Sequence, residues 1–449
     1  MNRTPRPNIL LITSHDIGRH LGCYGVSTVA TDHIDRIAEE GVRFDNAFAT
    51  APLCSPSRAS IFTGRCPHST GVMGLTHGSF GFRMNDDETH LAAYLTQAGY
   101  ICEHFGVLHE CNRSATELGY VAGHNPEMSA NASARLFAAQ IDTWSQTNSP
   151  WYAHIGFFEP HTPFDWGGAL PDASRGVTVP QYIASSEDAK RSFSEFQGAI
   201  RQLDEAVGCV LTALDTSGEA ENTIVIFTAD HGIPYPHAKG TLYDNGLEVA
   251  LLVRWPQRGW TGGRVVSNLV SHIDHLPTLL EITGMSIPDR VQGHSYVRYL
   301  DEGEASRHSH EVFGEITYFN APMYQPRRSI RTETHRLLCN FTNDPPLPIG
   351  NWHRGVCVIP ELESRWSHVV PYGAVPPVEL YDVVADQHCM LDLADEPACE
   401  TIRARLTQQL HDWMLQTDDP LLTGVPMPPC HERSLQALRA SSIKAQETA

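Results

Sequence analysis

Short unbroken apolar runs alternate with amphipathic stretches along most of the chain. The runs Ile9–Thr13, Tyr100–Phe105, Trp151–Phe157 and Thr223–Thr228 are rich in β-branched and aromatic residues and predict buried strands. Val249–Val253 and Val265–Val270 read as two more. Helical periodicity marks Thr31–Glu40, Glu88–Ala98, Ala130–Gln146, Asp188–Leu214 and Ile273–Thr283, the last stopping at Gly284. Strands alternating with helices predict an α/β architecture with a large, mostly parallel central sheet flanked by helices.

The texture changes near residue 325. Short strands at Ser329–Arg331, Arg336–Phe341 and Glu379–Tyr381 surround a Pro-rich stretch from Pro345 to Pro377, and one helix follows near Glu400–Met414. The expected partition is a large catalytic domain over 1–325, a small antiparallel α+β subdomain over 326–431, and a polar tail over 432–449.

Composition narrows the partners. The formal net charge of −20 argues against nucleic acid and against an anionic membrane surface. No stretch is long and apolar enough to span a bilayer. The 11 cysteines are scattered and odd in number, which predicts free thiols in a reducing compartment. Met1–Pro7 runs straight into the first strand without a long apolar leader, so a cytoplasmic location is expected. The only lysines are Lys190, Lys239 and Lys444, so a lysine inside a motif is a poor candidate for surface filler.

The residues that suggest chemistry each follow a predicted strand. His15 and Asp16 follow the first, His109 follows Tyr100–Phe105, His161 follows Trp151–Phe157, and Asp230-His231 follows Thr223–Thr228. Ligands of open α/β sheets bind outside the carboxyl ends of strands, so these segments are expected to converge on one crevice. Asp16, Asp230 and His231 make a candidate divalent-cation site, since carboxylates gathered at strand ends need a cation between them. Each Asp alone could equally be a helix cap.

Cys54-Ser55-Pro56-Ser57-Arg58 adds a candidate nucleophile. Ser55 suits an N-cap and Pro56 a first helical turn, which would place Cys54 at the positive end of a helix dipole. Arg58 lies one turn on, with a donor fork suited to a tetrahedral oxyanion. The C-x-P-S-R pattern, followed by Thr63-Gly64-Arg65, resembles the sulfatase signature. The resemblance runs from Pro7 to about Ala394 and includes Phe227–Tyr243, Ser271–Leu280 and Glu379–Asp382. It implies an alkaline-phosphatase-like sandwich, with Cys54 oxidised to formylglycine by a formylglycine-generating enzyme. The hydrated aldehyde would then attack sulfur.

The same resemblance implies that Asp16, Asp230, His231 and modified Cys54 hold a divalent ion, commonly calcium. It assigns Lys239 and His161 to the sulfate and leaving-group oxygens, His109 to release of sulfate, and Arg58 to holding the nucleophile and its loop. Two departures stand out. His15 replaces the first of two adjacent Asp, and as a further ligand its imidazole would bring manganese into contention. Val107 replaces a Lys two residues before His109, leaving Arg19, Arg113 or the substrate's surroundings to compensate. Gly232-Ile233-Pro234 is similar to the N-sulfoglucosamine sulfohydrolase branch.

The implied activity is hydrolysis of a sulfate ester or sulfamate of a small organic or sugar substrate. A phosphonate monoester or phosphodiester hydrolase of the same superfamily is the nearest alternative, because those groups carry the same single charge. A non-catalytic anion or glycan binder would require Cys54 to stay a thiol. Trp166, Tyr318 and Trp352 could stack on sugars or simply pack, and oligomerisation is open.

Overall fold

The computed structural model describes residues 6–78, 81–124, 128–147, 149–303, 311–319, 323–342, 355–360, 362, 375–431 and 433–436. Trp352, most of the Pro-rich stretch and nearly all of the polar tail lie outside the described residues. Among the described residues, eight strands form one sheet: β1 Asn8–Ser14, β2 Val42–Phe48, β3 Ile101–Gly106, β4 Ala122–His124, β5 Trp151–Gly156, β6 Thr223–Ala229, β7 Leu251–Arg254 and β8 Arg264–Ser271. Their spatial order is β4-β3-β5-β1-β6-β7-β2-β8. Every pairing is parallel except those of β7, which runs antiparallel to both β6 and β2.

β1, β5 and β6 are buried over their whole length, which explains their continuous apolar runs. The long helix Glu187–Thr216 is capped by the Ser186 side chain, which accepts from Ala189 N. It packs beside Ala130–Trp144, and its Asp204 accepts from the amides of His33 and Ile34 in the helix Asp32–Glu40. Among the described residues no helix is long and apolar enough to cross a membrane.

A second sheet is antiparallel, in the order β12-β11-β10-β9, from β9 Val312–Tyr318, β10 Tyr324–Arg331, β11 His335–Asn340 and β12 Val378–Asp382. Its first strand starts at Val312, ahead of the expected subdomain limit at residue 326. One face joins the main core through Val312, Ile316, Leu338 and Tyr381. The other is covered by the helix Glu400–Gln416 through Leu406, Leu410 and Trp413, with Trp413 stacked on Phe313. Buried charges stitch this sheet to the large layer. Arg328 forks onto Asp419, His68 pairs with Glu315, and Arg331 and Arg336 both hold Asp244.

The helix carrying the candidate nucleophile departs from its expected start. It begins at Cys54 and its N-cap is Leu53 in extended conformation, so Ser55 is not the cap and Pro56 is the third helical residue. Pro56 is still within the first turn, where no amide donor is required. Gly64, at φ 67°, ends the helix in the left-handed region. All ten residues are buried, serines included, and so no amphipathic stripe exists to be read.

Candidate active site

Four adjacent parallel strands deliver the site. β3, β5, β1 and β6 end side by side, and the segments leaving them carry His109, His161, His15-Asp16 and Asp230-His231. Asp16 turns the chain sharply at φ 47°, which brings its amide onto Asp230 Oδ1 at 2.9 Å. Gly232 lets the next loop pass: a Cβ there would lie 1.9 Å from the Asn245 carbonyl oxygen.

The Cys54 sulfur sits at the centre, 2 % exposed. His231 Nε2 is 3.3 Å away, Lys239 Nζ 3.8 Å and Asp16 Oδ1 4.0 Å. Burial alone would push the thiol up, but the Lys239 ammonium and His231, helped by His109 and His15, hold it well below the usual thiol range. Lys239 Nζ donates to both Asp16 oxygens at 2.8 Å. Burial opposes the charge on Asp16, yet Lys239, His161 and His231 together lower its carboxyl to about 2. His161 Nε2 stands 4.0 Å from Asp16 Oδ2, and its Nδ1 is bonded to the Thr162 carbonyl.

His231 tells most about a cation. Its Nδ1 donates to the Gly232 carbonyl at 2.9 Å, which leaves Nε2 pointing at Asp16 Oδ1 (3.1 Å) and Asp230 Oδ1 (3.6 Å). A bare lone pair facing two carboxylates is repulsive, so positive charge is demanded at that spot. Burial disfavours a proton there, but Asp230 and Asp16 raise the imidazole to about 10. A divalent ion fits the same need. Single donor atoms of His15, Asp16, Cys54 and Asp230 all lie within 4.8 Å of one another; His231, outside that group, is fixed through its other nitrogen as metal-bound imidazoles are.

His15 faces Asp230 Oδ2 through Nδ1 at 3.0 Å, while its buried Nε2 has no hydrogen-bond partner. Burial and Arg58 press this imidazole down, and Asp230 outweighs them and raises it. The residues present therefore suit a divalent ion held by two carboxylates and at least one imidazole.

A family model described as Sulfatase matches residues 7–285. This chain belongs to the sulfatase family. A second model, N-sulphoglucosamine sulphohydrolase, C-terminal, matches residues 232–346 of the sulfatase. Human N-sulphoglucosamine sulphohydrolase is 28% identical over 458 aligned residues, covering 92% of this chain and 91% of that protein. An ulvan-active sulfatase of Formosa agariphila is 25% identical over 92% of this chain and 76% of its own length. Among solved structures, a putative sulfatase, yidJ, of Bacteroides fragilis superposes with a TM-score of 0.74 at 20% identity, covering 95% of this chain and 99% of that one. BT4656, solved with its substrate D-glucosamine-2-N,6-O-disulfate, gives 0.72 at 18% identity, covering 92% and 98%. The sulfatase is thus an enzyme, a sulfuric ester hydrolase with the alkaline-phosphatase-like fold.

The structure brings the expected residues of the sulfatase together. Arg58 clamps the strand ends with three of its five N–H donors: Nε donates to Asp230, one terminal nitrogen to Thr13 Oγ1 at 2.9 Å, and the other to the Ser14 carbonyl at 3.1 Å. Arg19 is bound to Glu248 and the Asp45 carbonyl, and Arg113 to carbonyls of Met84, Asn85 and Glu88. Neither is committed to the space beside Val107, which is itself buried. Trp166 packs edge-on against Phe158, which stacks on His161, whereas Tyr318 packs on Phe82 and donates to the Pro426 carbonyl.

Two residues went unread in the sequence. His77 Nδ1 lies 2.7 Å from His109 Nε2. His272 Nδ1 lies 2.8 Å from Ser57 Oγ, which also donates to the Asp230 carbonyl and so braces the backbone there. The helix-start resemblance at Ser271–Asp274 could have flagged His272; no spacing rule would have flagged His77.

Proposed function

We propose that this sulfatase cleaves the sulfate ester or sulfamate of an amino-sugar-containing saccharide, using formylglycine formed from Cys54 and one divalent ion. The observation that carries the reading is the buried Cys54 sulfur, ringed by His231, Lys239, Asp16, His15 and His109 at the first residue of a helix. Support for a sulfamate or sugar sulfate comes from the match to the sulphohydrolase C-terminal model and from the human relative at 28% identity.

The ion would be held by Asp16, Asp230, His231 and residue 54, with His15 adjacent, and would supply Lewis-acid stabilisation of charge on oxygen. Calcium suits the carboxylates and manganese the imidazole-containing set. Lys239, anchored on Asp16, presents an ammonium to the sulfate oxygens and offsets charge as the ester or amide bond breaks. His161 stands across from it and can protonate the leaving oxygen or nitrogen. His109 takes the proton released when sulfate departs from residue 54. Arg58 holds Asp230 in register with Thr13 and Ser14, and with it the strand ends around residue 54.

Protein co-produced with a formylglycine-generating enzyme should show a Cys54 peptide lighter by about 18 Da, the change from thiol to aldehyde. That protein should release sulfate from N-sulfoglucosamine, glucosamine 6-sulfate or an aryl sulfate faster than it cleaves phosphodiesters and phosphonates. Activity lost to chelator and restored by calcium or manganese would identify the ion. Full turnover by protein whose Cys54 peptide is unmodified would overturn the reading.

A further inference from the structure

We propose that His77 is the positioning and relay residue through which His109 passes its proton to solvent. The inference rests on the reading of Cys54 and His109 given above. His109 is held at both ends. Its backbone amide donates to Glu110 Oε2 at 2.9 Å, and the Glu110 carboxylate is itself buried and faces His90. Its ring uses Nε2 for the 2.7 Å bond to His77 Nδ1, which leaves the buried Nδ1 for the interior. A nitrogen of His109 lies with Cys54 Sγ and a nitrogen of His15 in a group spanning no more than 4.8 Å.

His77 is an exposed residue, while Cys54 and His15 are buried. The two imidazoles, with ring centres 4.7 Å apart, therefore form a two-member bridge from the reacting centre to the surface. The bridge is built by the same helix that carries Cys54. Ser55 Oγ, which does not cap that helix, instead meets Thr76 N and Thr76 Oγ1, both at 3.3 Å, and so fixes the residue next to His77. A neutral imidazole donates from one nitrogen and accepts at the other, so a proton arriving at one side can be matched by a proton leaving at the other.

The step balances without a co-reactant. With residue 54 as hydrated formylglycine, its free hydroxyl would give the proton to His109 Nδ1 while the O–H electron pair forms the C=O bond and the C–O bond to sulfate breaks, sulfate leaving with the pair of that C–O bond. His109 gives the proton on Nε2 to His77 Nδ1, and His77 releases one from its other nitrogen to water. No oxidation state changes.

The test compares matured wild type with His77→Ala and His77→Gln on an aryl sulfate. The relay predicts kcat lower by about 10- to 100-fold in both variants, with KM within about twofold and melting temperature unchanged. Free imidazole should restore several-fold of the lost kcat in His77→Ala, which a merely structural role would not allow. In 15N-labelled protein with Cys54 unmodified, the His109 ring-nitrogen signals should move in both variants. Wild-type kcat in His77→Ala, a defect confined to KM, or a loss that imidazole does not touch would each overturn the relay. Inactivity of the matured wild type would instead strike the reading of Cys54. The His77–His109 contact would then be judged by the nitrogen signals, and unmoved signals would overturn it.

Discussion

Both ends of the molecule bury charge, but they do so in opposite ways. Behind the small sheet, Arg328 forks onto Asp419 and also donates to the Ile316 carbonyl and Thr317, and Asp244 is held by two arginines. There the carboxylates of Asp419 and Asp244 are each answered by arginine. Around Cys54 the accounts are left open: His15 Nε2 and His109 Nδ1 are buried without a hydrogen bond, and His231 Nε2 looks into two carboxylates. A matched buried network fixes geometry, while an unmatched one is poised to receive something.

The sharpest break between the regions should come from paired substitutions. Cys54→Ala is expected to lower kcat by about 10^4-fold or more with little change in melting temperature. Arg328→Met should do the reverse. It strands Asp419 in the interior, Glu315 keeping its His68 partner, and should cost about 3–5 kcal/mol of stability, while kcat per folded molecule stays within about twofold. Denaturant titration and active-site counting would separate the two effects. Equal damage to turnover and stability in both variants would erase the distinction.

A pH series sharpens the contrast from a third location. His20 lies against Phe193 and Phe196, and burial lowers its imidazole to about 4. The folded state keeps it neutral, whereas the unfolded chain binds a proton below the ordinary His value of about 6.5. Stability is therefore intact above that value and falls as pH drops toward 4, by at most about 3 kcal/mol from this group. His20→Leu should flatten the fall by one proton, read from denaturation midpoints between pH 7 and 5. The smallest effect is expected on the surface, where Arg36→Ala removes a partly exposed pair with Glu40 and should change stability by less than about 1 kcal/mol.

Legibility in the sequence followed burial and locality. β1, β5 and β6 were readable because both faces are covered and the runs are unbroken. β2 was missed, since Arg43, Asp45 and Asn46 interrupt its apolar positions although it pairs on both sides within the sheet. β4, with three residues, is too short to leave a pattern. The antiparallel course of β7 is invisible locally, because strand direction is set by the connection and not by composition.

The site was legible where a residue follows a strand or belongs to a motif, as with Asp16, Cys54 and Asp230. Orientation was not. Only the fold shows that three Arg58 donors go to Asp230, Thr13 and Ser14, and that His77 reaches a ring 32 positions away.

Asp244 sits five residues after Lys239, and its countercharges come from Arg331 and Arg336. A growing chain thus completes the Lys239 turn only after most of its length has been synthesised. Until then Asp244, buried in the finished protein, has neither arginine beside it. Any chain ending before Arg331 would hold the Lys239 turn without the two charges that lock it.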